Sequence, residues 1–110
     1  MDSISFFCLD NSELAEYEAI SRGFRSDIYV EISGEHYQLN IYDSVRLKQD
    51  FDTEIEDYGV FSIEPNVVLV KEVNIEEIKK TVINLLKQKY FKEIKPLNVK
   101  EIESLDLVKL

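Results

Sequence analysis

Alternation of apolar and polar positions marks residues 27–42 as a β-hairpin. Ile28, Val30 and Ile32 alternate with Tyr29, Glu31 and Ser33 ahead of Gly34-Glu35, a period of two. Glycine at the first loop position suits a type II′ turn, and a two-residue loop at Gly34-Glu35 then pairs Ser33 with His36. In that register Ile28 lies opposite Ile41, Val30 opposite Leu39 and Ile32 opposite Tyr37. The other face carries Tyr29, Glu31, His36, Gln38, Asn40 and Tyr42, with Glu31 meeting Gln38 and Tyr29 meeting Asn40. A slip of one residue would set polar groups against the apolar row, so burial and turn chemistry select one pairing.

A second strand pair is predicted over 60–63 and 67–73, with Glu64-Pro65-Asn66 as the turn. The unbroken apolar run from Val67 through Val70 reads as a central strand covered at least in part on both faces. The covering element follows directly. Asn74 as N-cap with Glu77 three residues into the helix opens a capping-box-like start. Ile75, Ile78, Val82, Leu85 and Leu86 recur at helical spacing, while Glu76, Lys79, Lys80 and Lys87 point to solvent. This helix should end near Tyr90 or Phe91, ahead of Pro96. An N-terminal strand over 5–9 and a helix over 11–20 complete the clear elements, with Asp10 as N-cap, Glu13 at N3 and Arg22-Gly23 as the stop. Residues 44–58 fit a loop or a short helix, and 99–110 a helix or an edge strand. The expected fold class is α+β: an antiparallel sheet of about four strands with helices packed mainly on one face, in a single domain over 1–110.

Length and composition agree with that reading. The chain has 110 residues, 45% of them hydrophobic, with six Tyr, six Phe, three Gly and two Pro, which is enough for one core and too little for two. Charge changes the picture more. Thirteen Lys and Arg against 22 Asp and Glu give a net charge of −9, which repels phosphate backbones and anionic lipid surfaces. The acidity is uneven: residues 1–70 hold 15 acids and 4 bases (−11), residues 71–110 hold 7 acids and 9 bases (+2). The start Met1-Asp2-Ser3 lacks a basic leader region, the apolar run from Ile4 is broken at Asp10, and no run approaches the roughly eighteen apolar residues of a membrane span. A cytoplasmic location is expected.

Chemistry is sparse along the sequence. One Cys and one His exclude a disulfide framework and a zinc site built mainly from thiolates and imidazoles within one chain. Cys8 reads as a small buried hydrophobe whose apolar setting raises its thiol pKa, and His36 as a solvated or locally hydrogen-bonded imidazole beside the turn. No G-x-S-x-G, Walker A, G-x-G-x-x-G or H-E-x-x-H element is present. Five carboxylates crowd residues 50–57, but an EF-hand loop starting at Asp50 would have Ile55 where Gly is required and Phe61 where the bidentate Glu belongs. A solvated acidic surface is the plain reading of this stretch. The sharper one is a partner-binding surface, with Asp50, Asp52, Glu54, Glu56 and Asp57 supplying charge and Tyr58, Tyr29, Glu31 and Tyr42 supplying contact area and hydrogen bonds. Neither catalytic residues, nor a metal, nor a cofactor are expected.

Small size, strong acidity, an α+β pattern and the lack of catalytic motifs together give a chain that resembles the immunity proteins of bacterial polymorphic and contact-dependent toxin systems. The resemblance lies in the character of the whole chain and carries over no functional residue. It implies a cytoplasmic inhibitor that binds a protein partner, a toxin domain with a basic surface. Two other classes stay open at this point: a small enzyme or ligand-binding domain using carboxylates and Tyr between sheet and helix, and a structural or oligomeric adaptor with an exposed strand edge.

Overall fold

A computed structural model describes residues 3–110, so Met1 and Asp2, with which the leader reading began, lie outside the described residues. The chain runs β1 (Ile4–Cys8), α1 (Glu13–Arg22), β2 (Phe24–Ile32), β3 (Glu35–Tyr42), α2 (Ser44–Tyr58), β4 (Val67–Leu69), α3 (Ile75–Lys87), a 3-10 turn (Tyr90–Lys92), α4 (Val99–Glu103) and β5 (Val108–Lys109). The fold is α+β. Its sheet has five strands in the order β4-β3-β2-β1-β5 and is mixed, not wholly antiparallel: β3 and β4 run parallel. The reason is the connection between them. Residues 44–58 form a full helix, and a helical crossover returns the chain to the same end of the sheet, which enforces parallel pairing.

The hairpin forms as expected, in a different register. Ser33 and Gly34 both have positive φ, 52° and 82°, the pattern of a type I′ turn, so the loop is Ser33-Gly34 and Ile32 pairs with Glu35. Ile28 therefore faces Leu39, Val30 faces Tyr37 and Glu31 faces His36. The pairing moves by two positions in total, which keeps each side chain on its predicted face. Residues 60–63 are not a strand, and β4 is an edge strand, with Val68 buried and Leu69 exposed. The helix after it starts at the Asn74 cap, as predicted, and ends at Lys87. Lys79 is not directed to solvent but lies over the Phe6 ring at 5.7 Å. Ser12, not Asp10, caps α1; Asp10 instead accepts from the Ser12 amide. Both tail readings hold in part, since 99–110 contains α4 and β5.

One core cluster lies on the Ile28–Val30–Leu39–Ile41 face of the sheet, closed by Ile78 and Val82 of α3 and Ala19 of α1. The two helices are joined where Glu16 of α1 accepts from the Ile75 amide at 2.9 Å, filling one open donor at the start of α3. The helices do not keep to one face. Leu97, Glu101, Ser104 and Leu105 close over Tyr29 and Gln38 on the opposite face, and α2 meets Tyr42 there.

A bulge in β2 organises the other end of the hairpin. Ser26 and Asp27 together occupy the space opposite Asn40, because Arg25 pairs with Ile41 and Ile28 with Leu39. Arg25 turns inward and is 6% exposed. Its Nε donates to Asp27 at 2.6 Å and its Nη2 to the Asp10 carbonyl at 2.6 Å, while the amides of Leu9 and Asp10 donate to Asp27 at 3.1 and 3.3 Å. Burial alone would raise the Asp27 carboxyl, but the hydrogen bond and charge of Arg25, with those amides, hold it below the usual carboxylate range. Next to the bulge, Gly23 ends α1 at φ 69°, and a Cβ there would stand 2.5 Å from Oδ2 of Asp43, the residue that caps α2.

Two outcomes follow from this junction. Gly23→Ala combines left-handed strain with a clash against the α2 cap, and should lower the urea-derived unfolding free energy by about 1 kcal/mol or more. Because the folded-state pKa of Asp27 is depressed, its contribution is complete above the unfolded value of about 3.9 and disappears as pH falls through the folded value. Asp27→Asn should therefore cost about 3 kcal/mol at neutral pH by stranding Arg25, and flatten the loss of stability that sets in as pH falls below the unfolded carboxylate value. An unchanged acid limb in the variant would show that Asp27 is not the titrating group.

Candidate functional site on helix α2

The acidic stretch lies entirely on α2. Asp43 caps the helix by accepting from the Arg46 amide at 2.8 Å, and Gly59 ends it in the left-handed conformation at φ 75°. Between them Leu47, Phe51, Ile55 and Tyr58 recur at helical spacing and form an apolar stripe. At 3.6 residues per turn, Asp50, Glu54 and Asp57 line one side of that stripe and Asp52 and Glu56 the other.

None of the residues of α2 is buried. Phe51, Ile55 and Tyr58 keep 45%, 40% and 73% of their surface exposed. Phe51 packs edge-on against Phe61 at 5.6 Å, and together with Leu47, Ile63 and Leu69 the two rings line an open apolar groove of about 400 Å³ between α2 and the β4 edge. Val60, Ile63 and Leu69 are exposed as well, so the apolar surface continues beyond the helix. A concentration of exposed apolar side chains with charged borders is the usual composition of a contact surface.

Charge on α2 runs against its backbone dipole. In α1 and α3 acids occupy the first turn and a base the last, Glu13, Glu16 and Arg22 in one, Glu76, Glu77 and Lys87 in the other. In α2 the first turn has no acid and the last no base. Arg46 pairs with Asp50 at 3.0 Å and Lys48 with Asp52 at 2.8 Å, both four residues apart, which leaves Glu54, Glu56 and Asp57 as the acids without an ion pair among the described residues. Those three stand at the negative end of the helix, where negative charge is least favourable.

The remaining candidates are divided. Tyr42 lies tilted against Phe24, with ring centroids 4.7 Å apart, and faces Asp50; burial and that carboxylate push its phenol above the ordinary value. Arg46 lies over the Phe24 ring at 5.3 Å and ties this patch to α2. Tyr29 is 8% exposed beneath the Leu97–Leu105 segment and offers no contact area. Glu31 is held by His36, whose Nε2 is 3.2 Å from its Oε2. The imidazole is half-buried beside Phe7 and not simply solvated, and its Nδ1 has no hydrogen-bond partner among the described residues. Cys8 is fully buried, and burial raises its thiol pKa. Among the described residues no three His, Cys, Asp or Glu side chains converge to hold a metal, and no helix is long and apolar enough to cross a membrane.

The chain matches no protein-family model, no curated protein and no solved structure. The sequence pointed to the acids and Tyr58 but missed Leu47, Phe51, Ile55 and the groove. The spacing of those residues was readable once 44–58 is taken as a helix, and the inverted charge order with it.

A pair of truncations separates this surface from the core. Ile78→Ala, at a site 1% exposed, should cost about 2–5 kcal/mol in urea unfolding. Ile55→Ala, on the exposed stripe, should cost less than about 1 kcal/mol. Equal losses would mean that α2 is part of the folding core and not a surface held ready for contact.

Proposed function

We propose that this chain is a small acidic cytoplasmic protein that binds and neutralises a protein partner, and that the partner is a bacterial toxin domain with a basic surface, as for an immunity protein. The observation that carries the reading is α2: its apolar stripe gives no residue to the core and stays largely exposed, and its acids are placed where they cost stability. Sequences that violate a local rule without a structural return tend to do so at functional positions. The contact it offers is an apolar centre formed by Phe51, Ile55 and Leu69, bordered by Asp50, Asp52, Glu54, Glu56 and Asp57, with Tyr58 at its end.

This composition favours a cationic partner over a second copy of the chain. A copy would bring the same five carboxylates to the contact, whereas a basic surface relieves their mutual repulsion and is drawn in by their field. A basic toxin domain that handles nucleic acid has such a surface in its phosphate-binding cleft, and an acidic protein seated on it would exclude the nucleic acid. Association would then be fast and would slow as salt rises.

The test uses the variant Glu54→Gln, Glu56→Gln, Asp57→Asn. Removing negative charge from the C-terminal end of α2 should raise the melting temperature by about 2–6 °C. As bait in a lysate of the source organism, the tagged wild-type chain should retain a basic protein that the variant releases. With that protein purified, the association rate should fall with the three substitutions, and the salt dependence should become shallower. A variant that is more stable and binds the same protein at an unchanged rate removes the steering role; loss of binding only on Phe51→Ala would reduce the site to its apolar centre.

A further inference from the structure

A larger concavity than the α2 groove lies on the core face of the sheet at the turn end of the hairpin, with a volume of about 690 Å³. Tyr37, Phe91 and Ile94 form part of its wall, with the Tyr37 and Phe91 rings 5.1 Å apart. Lys87, Lys89 and Lys92 surround it, all three exposed. Among the described residues its one acid is Glu35, which accepts from the Tyr37 hydroxyl at 3.2 Å. None of the three lysines forms an ion pair among the described residues. In a chain of net charge −9, the described lining of this groove is thus cationic.

Two further features bear on the lysines. Lys87 lies in the last turn of α3, where a base suits the dipole, so by itself it has a structural explanation. Lys89 does not. It sits at φ 63°, in the left-handed region where glycine or asparagine is favoured, and the chain keeps a cation there beside the groove. The volume falls in the range of small-molecule sites, about 300–1,000 Å³, which are mostly apolar with a few placed polar groups.

From this arrangement we infer that the groove binds an amphiphilic organic anion. An apolar body would lie against Leu86 and Pro96, both half-buried, over a floor of Tyr37, Phe91 and Ile94, and a carboxylate, sulfonate or phosphate head would be held among Lys87, Lys89 and Lys92. The inference does not depend on the α2 reading, since the groove is on the other face of the sheet and at the other end of β3.

A matched pair of fluorescent probes tests it: anilinonaphthalene sulfonate and N-phenyl-1-naphthylamine, the same ring system without the sulfonate. The wild-type chain should bind the sulfonate with a blue-shifted emission. The variant Lys87→Gln, Lys89→Gln, Lys92→Gln should bind it about tenfold more weakly, while affinity for the uncharged probe changes by less than about twofold. Added NaCl should reproduce the same contrast on the wild-type chain, independently of any effect of the substitutions on folding. Monomeric dodecanoate should displace the sulfonate probe where inorganic phosphate does not, and amide shifts on titration should centre on Tyr37, Phe91 and Ile94. Failure to bind the sulfonate, equal weakening of both probes, displacement by phosphate alone, or shifts centred on Leu47, Phe51 and Leu69 would each overturn the assignment. So would binding to anionic vesicles with no displacement by the monomeric acid.

Discussion

The constraint on which the rest depends is the buried guanidinium of Arg25. An arginine cannot shed its charge inside a protein, so every group around it has to be arranged to accept from it. Asp27 supplies the counter-charge, and the Asp10 carbonyl takes another donor, which fixes the link between β1 and α1 onto β2. The bulge at Ser26-Asp27 makes this possible. Without the extra residue, strict alternation from Ile28 would turn Arg25 to the face of Tyr29 and Tyr42, and Phe24 to the core. The bulge exchanges them. Arg25 goes inward beneath α1, and Phe24 goes out to meet Tyr42 and Arg46. The platform beneath the start of α2 is therefore a consequence of burying one charge on the other side of the sheet.

From that platform the chain builds a helix that is well started and poorly matched to its own dipole. Asp43 and Gly59 mark its limits with ordinary caps, and Arg46–Asp50 and Lys48–Asp52 brace its first half. Its second half receives acids and exposed apolar side chains, a combination that neither the dipole nor the core rewards. Contrast with α1 and α3 removes a general compositional bias as the explanation, since both follow the dipole in the same acidic chain. What separates α2 is its burial: α3 gives Ile78 and Val82 to the core, and α2 gives nothing.

The faces of the hairpin were legible in the sequence because side-chain direction depends only on parity, and a pairing moved by two keeps parity. The turn was not, because Gly34 satisfies either type II′ with Glu35 or type I′ with Ser33, and nothing local marks Ser33 for the left-handed region. The apolar run at Val67–Val70 was legible as a strand but not as an edge, since apolar continuity reports burial and not the number of neighbours. Its parallel direction depended on residues 44–58 being helical. The stretch of acids was visible at once, whereas the cover over Tyr29 comes from residues more than sixty positions away, beyond the reach of any local pattern.

Charge segregation along the sequence has a spatial counterpart that bears on how the molecule meets other molecules. Asp50 of α2 meets Tyr42 at one end of β3, and the lysines of the groove lie by Glu35 at the other, across a strand that spans about 23 Å at 3.3 Å per residue. At physiological salt the Debye length is about 8 Å, so neither group of charges neutralises the other's local field. A mixed surface would have served solubility equally well and cost less self-repulsion. Separation instead gives the molecule an anionic helix and a cationic groove on opposite faces of one sheet, so each can engage an oppositely charged species without competing with the other.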